Sequence, residues 1–334
     1  MTTLPMAIVG AGSWGTALAV LLASQGHEVR LWGRDSDAIT AMARERRNAR
    51  YLADIELPPS LLPMPKLGDA LADADEILLA VPSHAFAQSI AELVKVRPQL
   101  DALAWATKGF EPGTGRFLDE VVVDHLGSDC ARALLSGPTF AAEVARGLPA
   151  AVTLAGNDDV FTRQLARRFS GSSCRVYTST DLVGVQVAGG VKNVLAIAAG
   201  IADGLGYGSN TRAALITRGL AELTRLGLRL GGRTETFSGL AALGDLVLTC
   251  SDDQSRNRRF GLALADGASV DDAALRVGQV VEGLRNTREV MQLATRNAVE
   301  MPIVEQVFRV LFERCAPREA VHALLAREPR AEGN

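Results

Sequence analysis

Short apolar runs separated by helix-length amphipathic stretches fill the first half of the chain. Residues 6–9, 28–32, 76–81, 103–106 and 133–135 read as strands, short and rich in aliphatic residues. Between and after them, 13–24, 35–47, 84–94 and 158–169 read as helices, with Ser83 placed to cap the third of these. Residues 151–154 and 175–177 add edge strands, and Pro58, Pro59, Pro63 and Pro65 mark an irregular loop. Strands alternating with helices predict an α/β fold built on a Rossmann-like, mostly parallel sheet, with ligands beyond the carboxyl ends of the strands.

After residue 180 the strand signals stop. Residues 181–215 open with a long apolar run that holds one cation, Lys192, followed by Asn193. The run reads as a helix, and Gln186, Lys192, Asn193 and Asp203 make it a poor membrane span, so no membrane insertion is expected. Gly189, Ala196 and Ala199 share the face of Lys192 and leave room there for a backbone or a ligand. Further helices are expected at 211–226 and 239–249, from near Ser255 or Arg256, at 287–297 and at 303–312. The expected organisation is a sheet domain over 1–180, an all-helical domain over 181–326 and a polar tail over 327–334.

Composition narrows the function classes. The chain has 334 residues, 48% hydrophobic and 22% charged, as in ordinary globular proteins. A net charge of −3 argues against a general nucleic-acid binder. Cys130, Cys174, Cys250 and Cys315 are scattered, with no CxxC pair and no metal spacing to a histidine, so no metal site is expected and a cytoplasmic, reduced protein is. The apolar N-terminus lacks a basic segment and is cut by Gly10, Gly12 and Gly15, which argues against a targeting signal.

Four places carry candidate chemistry. Gly10-Ala11-Gly12-Ser13-Trp14-Gly15 is a GxGxxG turn between a strand and a helix, the context in which a pyrophosphate sits on a helix N-terminus; the alternative is a glycine-rich turn of another α/β protein. At the end of the second strand Gly33 stands where an acid would take the ribose 2′-OH, and Arg34 follows. That favours NADP(H), with NAD(H) as the alternative; Asp35 is either a ribose ligand in a shifted register or a helix N-cap. Lys108 and the loop from Gly137 to Ala141 lie at strand ends, where ligand contacts concentrate. Ser255-Arg256-Asn257-Arg258-Arg259 reads either as a phosphate anchor at a helix start or as a solvated basic face. Lys192 itself is either a group with a chemical task or an amphipathic side chain reaching the surface.

Taken together, GAGSWGTALA, WGRD, ATKGFE, SGPTFAAEVA, VKNVLAIAAGIADGL, LGDLVLTC, SRNRRFG and VEG resemble the bacterial-type NAD(P)-dependent glycerol-3-phosphate dehydrogenases over nearly the whole chain. Thr139 departs from the frequent Ser and keeps the hydroxyl. The resemblance implies reversible reduction of dihydroxyacetone phosphate to sn-glycerol 3-phosphate with NADPH or NADH, feeding glycerophospholipid synthesis. It implies Lys192 as the catalytic residue; the chemistry of a lysine in that task adds the expectation that Asp245 orients it. It implies substrate contacts from Lys108, Gly137, Thr139, Lys192, Asp245, Ser255, Arg256 and Asn257. Cofactor contacts are implied from Gly12, Ser13, Trp14, Arg34, Tyr51, Lys108, Ala141, Arg256, Val280 and Glu282. A related two-domain hydroxyacid dehydrogenase and a non-catalytic NAD(P)-sensing protein are the alternatives, and a homodimer through the helical half is the expected assembly.

Overall fold

The computed structural model describes residues 4–328, which divide into two compact units. The first holds the residues up to 111 together with 116–186; the second holds 112–115 and those from 187 on. Positions 329–334 of the expected polar tail lie outside the described residues.

In the first unit the strands are β1 (Met6–Val9), β2 (Val29–Trp32), β3 (Arg47–Asn48), β4 (Leu52–Glu56), β5 (Leu61–Met64), β6 (Glu76–Leu79), β7 (Ala102–Trp105), β8 (Ala131–Ser136), β9 (Ala150–Gly156) and β10 (Cys174–Ser179). The helices are α1 (Ser13–Ser24), α2 (Ser36–Glu45), α3 (Leu67–Leu71), α4 (Ser83–Val96), α5 (Leu118–Leu126), α6 (Ala141–Ala145) and α7 (Asp159–Phe169). Eight strands form one sheet in the order β10–β9–β8–β7–β6–β1–β2–β5, parallel except between β8 and β9. The chain leaves β1 toward β2 and returns on its other side with β6, so β1 sits at a topological switch point, where such sheets open a crevice for ligands. Val9 pairs level with both Trp32 and Leu79, which brings the segments after all three strands to the same edge. Met6, Ile8, Leu18, Leu22, Leu31, Leu78 and Phe169 belong to the buried apolar core of this unit.

Several local expectations need correction. The proline-rich loop contains β5, which pairs with β2 at the sheet margin; Pro63 is tolerated because an edge strand has one side with no ladder to feed. The 35–47 helix stops at Glu45, and Arg46 turns left-handed at φ 52° into the β3–β4 hairpin. Ser83 is the first residue of α4, and Pro82 holds the N-cap position without a side-chain hydrogen bond. Helix α5 is an addition to the expected elements: Glu120 Oε2 accepts from the Phe117 N–H at 2.7 Å and closes its first turn, despite a Val-Val-Val run of modest helix propensity.

The second unit is helical: α8 (Leu182–Gly204, whose first turn belongs to the first unit), α9 (Gly208–Arg229), α10 (Thr234–Phe237), one π-helical turn (Leu240–Gly244), α11 (Asp245–Ser251), α12 (Arg256–Ala265), α13 (Val270–Val277), α14 (Glu282–Arg296), α15 (Pro302–Phe312) and α16 (Pro317–Leu325). Every residue from 184 to 202 is buried, as expected for a helix that is apolar all round. It is the one described helix long and apolar enough to cross a membrane by length and composition, and 89% of its most apolar window is buried inside the protein. The single helix expected at 239–249 is instead a π turn feeding α11, and α13 and α16 were not anticipated. Alpha-helical contact is closest where side chains are missing: a Cβ on Gly200 would lie 2.1 Å from the Arg258 carbonyl oxygen, and one on Gly261 2.3 Å from that of Ile197. These two glycines, one on each helix, seat α12 against α8.

Candidate active site

In the first unit the glycine turn has a distinct geometry at each position. Gly10 has φ 120°, and a Cβ there would meet the Ala80 carbonyl at 2.7 Å. A Cβ on Gly15 would meet the Gly10 carbonyl at 1.9 Å, so that glycine permits α1 to lie directly on the turn. A Cβ on Gly12 would meet nothing within 4 Å. Gly12 is the N-cap of α1, with no side-chain cap and no acid in the first turn. The first N–H groups of a helix have no acceptor within it, so this end of α1 has the donors, the dipole and the space that a pyrophosphate requires. The residues present therefore fit a dinucleotide. Ser13, Trp14 and Ala141 are half-buried.

The ribose end is equally defined. A Cβ on Gly33 would lie 2.9 Å from both the Ala11 Cβ and the Ile39 Cδ1, so no acidic side chain fits there without displacement. Arg34 is exposed, and Asp35 is the N-cap of α2, its Oδ1 accepting from the Ala38 N–H at 3.0 Å. Tyr51, half-buried, lies under the Arg50 guanidinium, which is 5.2 Å from its ring centroid. Farther along the sheet, Lys108 Nζ donates to the Gly137 carbonyl at 3.4 Å, and the Thr139 hydroxyl donates to the same oxygen at 3.3 Å. The three substrate contacts expected in this unit, Lys108, Gly137 and Thr139, thus come together.

In the second unit Lys192 is 5% exposed. Its Nζ donates to Asp245 Oδ1 at 2.5 Å and to Thr249 Oγ1 at 3.0 Å. The Thr249 hydroxyl in turn donates to the Asp245 carbonyl at 2.5 Å. Asp245 is fully buried at the start of α11, directly after the π turn, an irregularity often found at functional sites. A buried lysine without a partner would be costly; here a carboxylate and a hydroxyl fix the direction of its ammonium. Cys250 lies close by, and burial pushes its thiol up to about 12, with the Lys192 charge pulling the other way, so it stays a neutral apolar filler.

Beside the lysine, Asn257 Nδ2 donates to Asn193 Oδ1 at 2.8 Å, and Asn257 Oδ1 accepts from the Gly283 N–H at 2.9 Å. One side chain thereby joins α8, α12 and the start of α14, where Glu282 is half-buried and Val280 is 39% exposed just before it. Ser255 caps α12, its hydroxyl oxygen accepting from the Arg258 N–H at 3.2 Å, and Arg256 opens the helix. The basic run divides here. Arg258 is buried and paired with Asp203 and Asp253, whereas Arg259 is exposed. Thr249 was missed from the sequence although its spacing from Asp245, one helical turn, places both on one face. The room expected beside Gly189 and Ala196 is taken by protein: residues 189–199 are all buried.

Residues 5–162 match the family model described as the NAD-dependent glycerol-3-phosphate dehydrogenase N-terminus, and residues 181–322 match that of its C-terminus. The chain is 54% identical over 331 residues to the glycerol-3-phosphate dehydrogenase (NAD(P)+) of Pseudoalteromonas translucida, covering 99% of both. It is 54% identical over 325 residues to that of Nitrosococcus oceani, covering 97% of this chain and 94% of the relative. The crystal structure of glycerol-3-phosphate dehydrogenase from Coxiella burnetii superposes with a TM-score of 0.94 at 49% identity, over 98% of this chain and 100% of that one. A ketopantoate reductase from Ralstonia eutropha, 17% identical with a TM-score of 0.57 over 95% of this chain and 100% of its own, shares the fold alone.

Proposed function

We infer that this chain, which belongs to the NAD-dependent glycerol-3-phosphate dehydrogenase family, reduces dihydroxyacetone phosphate to sn-glycerol 3-phosphate, reversibly, with NADPH or NADH. It is an oxidoreductase, and its product is the backbone of glycerophospholipids. The observation that carries the reading is the buried Lys192 ammonium fixed by Asp245 and Thr249. When bound, the reduced nicotinamide supplies hydride to the ketone carbon. As that carbon is reduced, negative charge grows on its oxygen. The Lys192 ammonium stabilises this charge and gives up the proton; in the reverse direction neutral Lys192 is the base. Asp245 and Thr249 aim the group, which avoids reorganisation during the reaction.

Ser255, Arg256 and Asn257 at the start of α12, with Lys108, Gly137 and Thr139, hold the substrate. Gly12, Ser13, Trp14, Arg34, Tyr51, Lys108, Ala141, Arg256, Val280 and Glu282 hold the cofactor. The test is decay of 340-nm absorbance on mixing the protein, NADPH and dihydroxyacetone phosphate. Lys192→Ala, folded by circular dichroism, is expected to lower kcat by at least about a hundredfold. Undiminished turnover would overturn the lysine's role, and no decay with either cofactor would overturn the reaction.

NADPH is the preferred cofactor. The crowding at Gly33, the capping duty of Asp35 and the exposed Arg34 support this. Arg34→Ala should raise KM for NADPH about tenfold or more and leave KM for NADH within about twofold, since only NADPH offers a 2′-phosphate to a guanidinium. Equal losses for both cofactors would refute it.

The protein acts in the cytoplasm, as a homodimer through its helical half. An apolar groove of about 570 Å³ between α8, α9, α15 and α16 supports the dimer: Leu325 in its lining is 71% exposed, and the lining also carries both Arg218 and Glu300. A two-fold interface sets one patch against its own copy, so mixed charge is self-complementary. Light scattering that gives a monomer mass at micromolar concentration would overturn the dimer.

A further inference from the structure

The β3–β4 hairpin is anchored more firmly than its size suggests. Arg46, in the left-handed conformation at its base, donates to the carbonyls of Leu57, Pro58 and Leu61. Its first strand contains Asn48, which is 4% exposed. Asn48 Nδ2 donates to the Ala11 carbonyl at 3.0 Å and to the Thr16 Oγ1 at 2.8 Å. Thr16 is fully buried on α1, its own N–H bonded to the Gly12 carbonyl at 2.9 Å. Both donors of one amide are therefore spent on the two sides of the glycine turn.

A trans peptide is planar, with its C=O and N–H pointing in opposite directions. Holding the Ala11 carbonyl toward the hairpin therefore turns the Gly12 N–H away from it. Gly12 is the position where an added Cβ meets only open space. The same contact fixes the hairpin tip, since the Tyr51 N–H bonds the Asn48 carbonyl at 3.2 Å and the Arg50 guanidinium stacks on Tyr51.

We propose that Asn48 is a positioning residue of the cofactor site: its amide sets the plane of the 11–12 peptide and registers the Arg50–Tyr51 tip against the glycine turn, and so governs dinucleotide affinity without touching the dinucleotide. The proposal rests on the reading of that turn as the pyrophosphate site. A buried amide that lost its partners would otherwise cost stability alone; here it also orients a ligand donor.

The experiment is steady-state kinetics with both substrates varied, together with NADPH titration by calorimetry and thermal melts, on wild type, Asn48→Ala, Thr16→Val and the double variant. Asn48→Ala is expected to raise KM and Kd for NADPH about tenfold, the equivalent of ~1.4 kcal/mol, with kcat and KM for dihydroxyacetone phosphate within about twofold. Thr16→Val, which removes one of the two contacts, is expected to give about a threefold rise, and the double variant no more than Asn48→Ala, because both act through one amide. A lowered melting temperature with unchanged NADPH affinity would make Asn48 merely structural and overturn the proposal. So would parallel rises in both KM values. Should Asn48→Ala not fold, Thr16→Val carries the test alone, and unchanged NADPH affinity there overturns it. A wild type that binds neither dinucleotide would instead defeat the reading of the turn, and the proposal with it.

Discussion

Arg256 and Arg258 stand two positions apart on one helix, and their removal is expected to read out differently. The Arg258 side chain is 9% exposed, as is that of Asp203, to which it donates at 2.7 Å; Asp253 pairs with it as well. Arg258→Ala leaves Asp203 buried with Arg212 as its remaining ion-pair partner at 2.8 Å, and should cost roughly 2–3 kcal/mol of stability. Arg256→Ala should raise KM for dihydroxyacetone phosphate and lower kcat, because holding the phosphate also positions the reacting carbon. Urea unfolding beside steady-state kinetics separates the two; a reversed pattern would mean that the phosphate is held elsewhere. The sequence shows three arginines close together and no way to rank them. The partner that captures Arg258 lies 55 residues away, at the far end of α8, and local charge patterning carries no information about it. Lys192 and Asp245, 53 residues apart, were legible as a pair through family motifs. Thr249 was legible in principle from helical spacing alone.

At the scale of elements, the turn between β1 and α1 predicts a contrast between two neighbouring glycines. Gly12 has φ −75°, which any residue adopts, and its Cβ position is open. Gly12→Ala should therefore fold with a melting temperature within about 2 °C of wild type and lose cofactor affinity about tenfold or more, since the methyl occupies the pyrophosphate's space. Gly15→Ala forces a methyl to within 1.9 Å of a backbone carbonyl, so turn and helix must part, at a cost of about 1–3 kcal/mol or more. Thermal melts and NADPH titration check both, and a Gly12→Ala protein as unstable as Gly15→Ala would refute the assignment. The same turn shows why elements were readable to different degrees. Strands β1 and β6 are fully buried, β7 and β8 mostly so, and β2 alternates buried and half-buried positions, while Asp35 and Asp158 do cap α2 and α7 as their chemistry suggests. Strand β5 was hidden by Pro63, which is disruptive in a central strand and harmless at the edge, and edge position is a property of the sheet. The π turn before Asp245 has no sequence signature of its own and is visible only in the backbone.

For the molecule as a whole, three buried acids each make stability fall as pH rises through their native range. Burial raises Glu76 and Asp119 in the first unit and raises Glu222 in the second to about 7. Glu222 is held by the N–H groups of Ile303 and Val304, which lower its pKa but do not offset its desolvation. An acid raised on folding binds more protons in the native state than in the unfolded state between its two values. Its contribution to stability is therefore largest below the unfolded value of 4.5 and declines as pH rises to about 7. For Glu222 the decline amounts to about 3 kcal/mol across that window. Glu222→Gln keeps an acceptor for the Ile303 N–H and has no charge to bury, so the difference between variant and wild type should grow in the variant's favour from pH 5 to pH 8. Far-UV circular dichroism is the appropriate signal, because Trp14, Trp32 and Trp105 all lie in the first unit, whereas Glu222 belongs to the helical one. Parallel stability curves for the two proteins over that range would show that Glu222 ionises as freely in the native state as in the unfolded chain, and would overturn the assignment of this pH dependence to its burial.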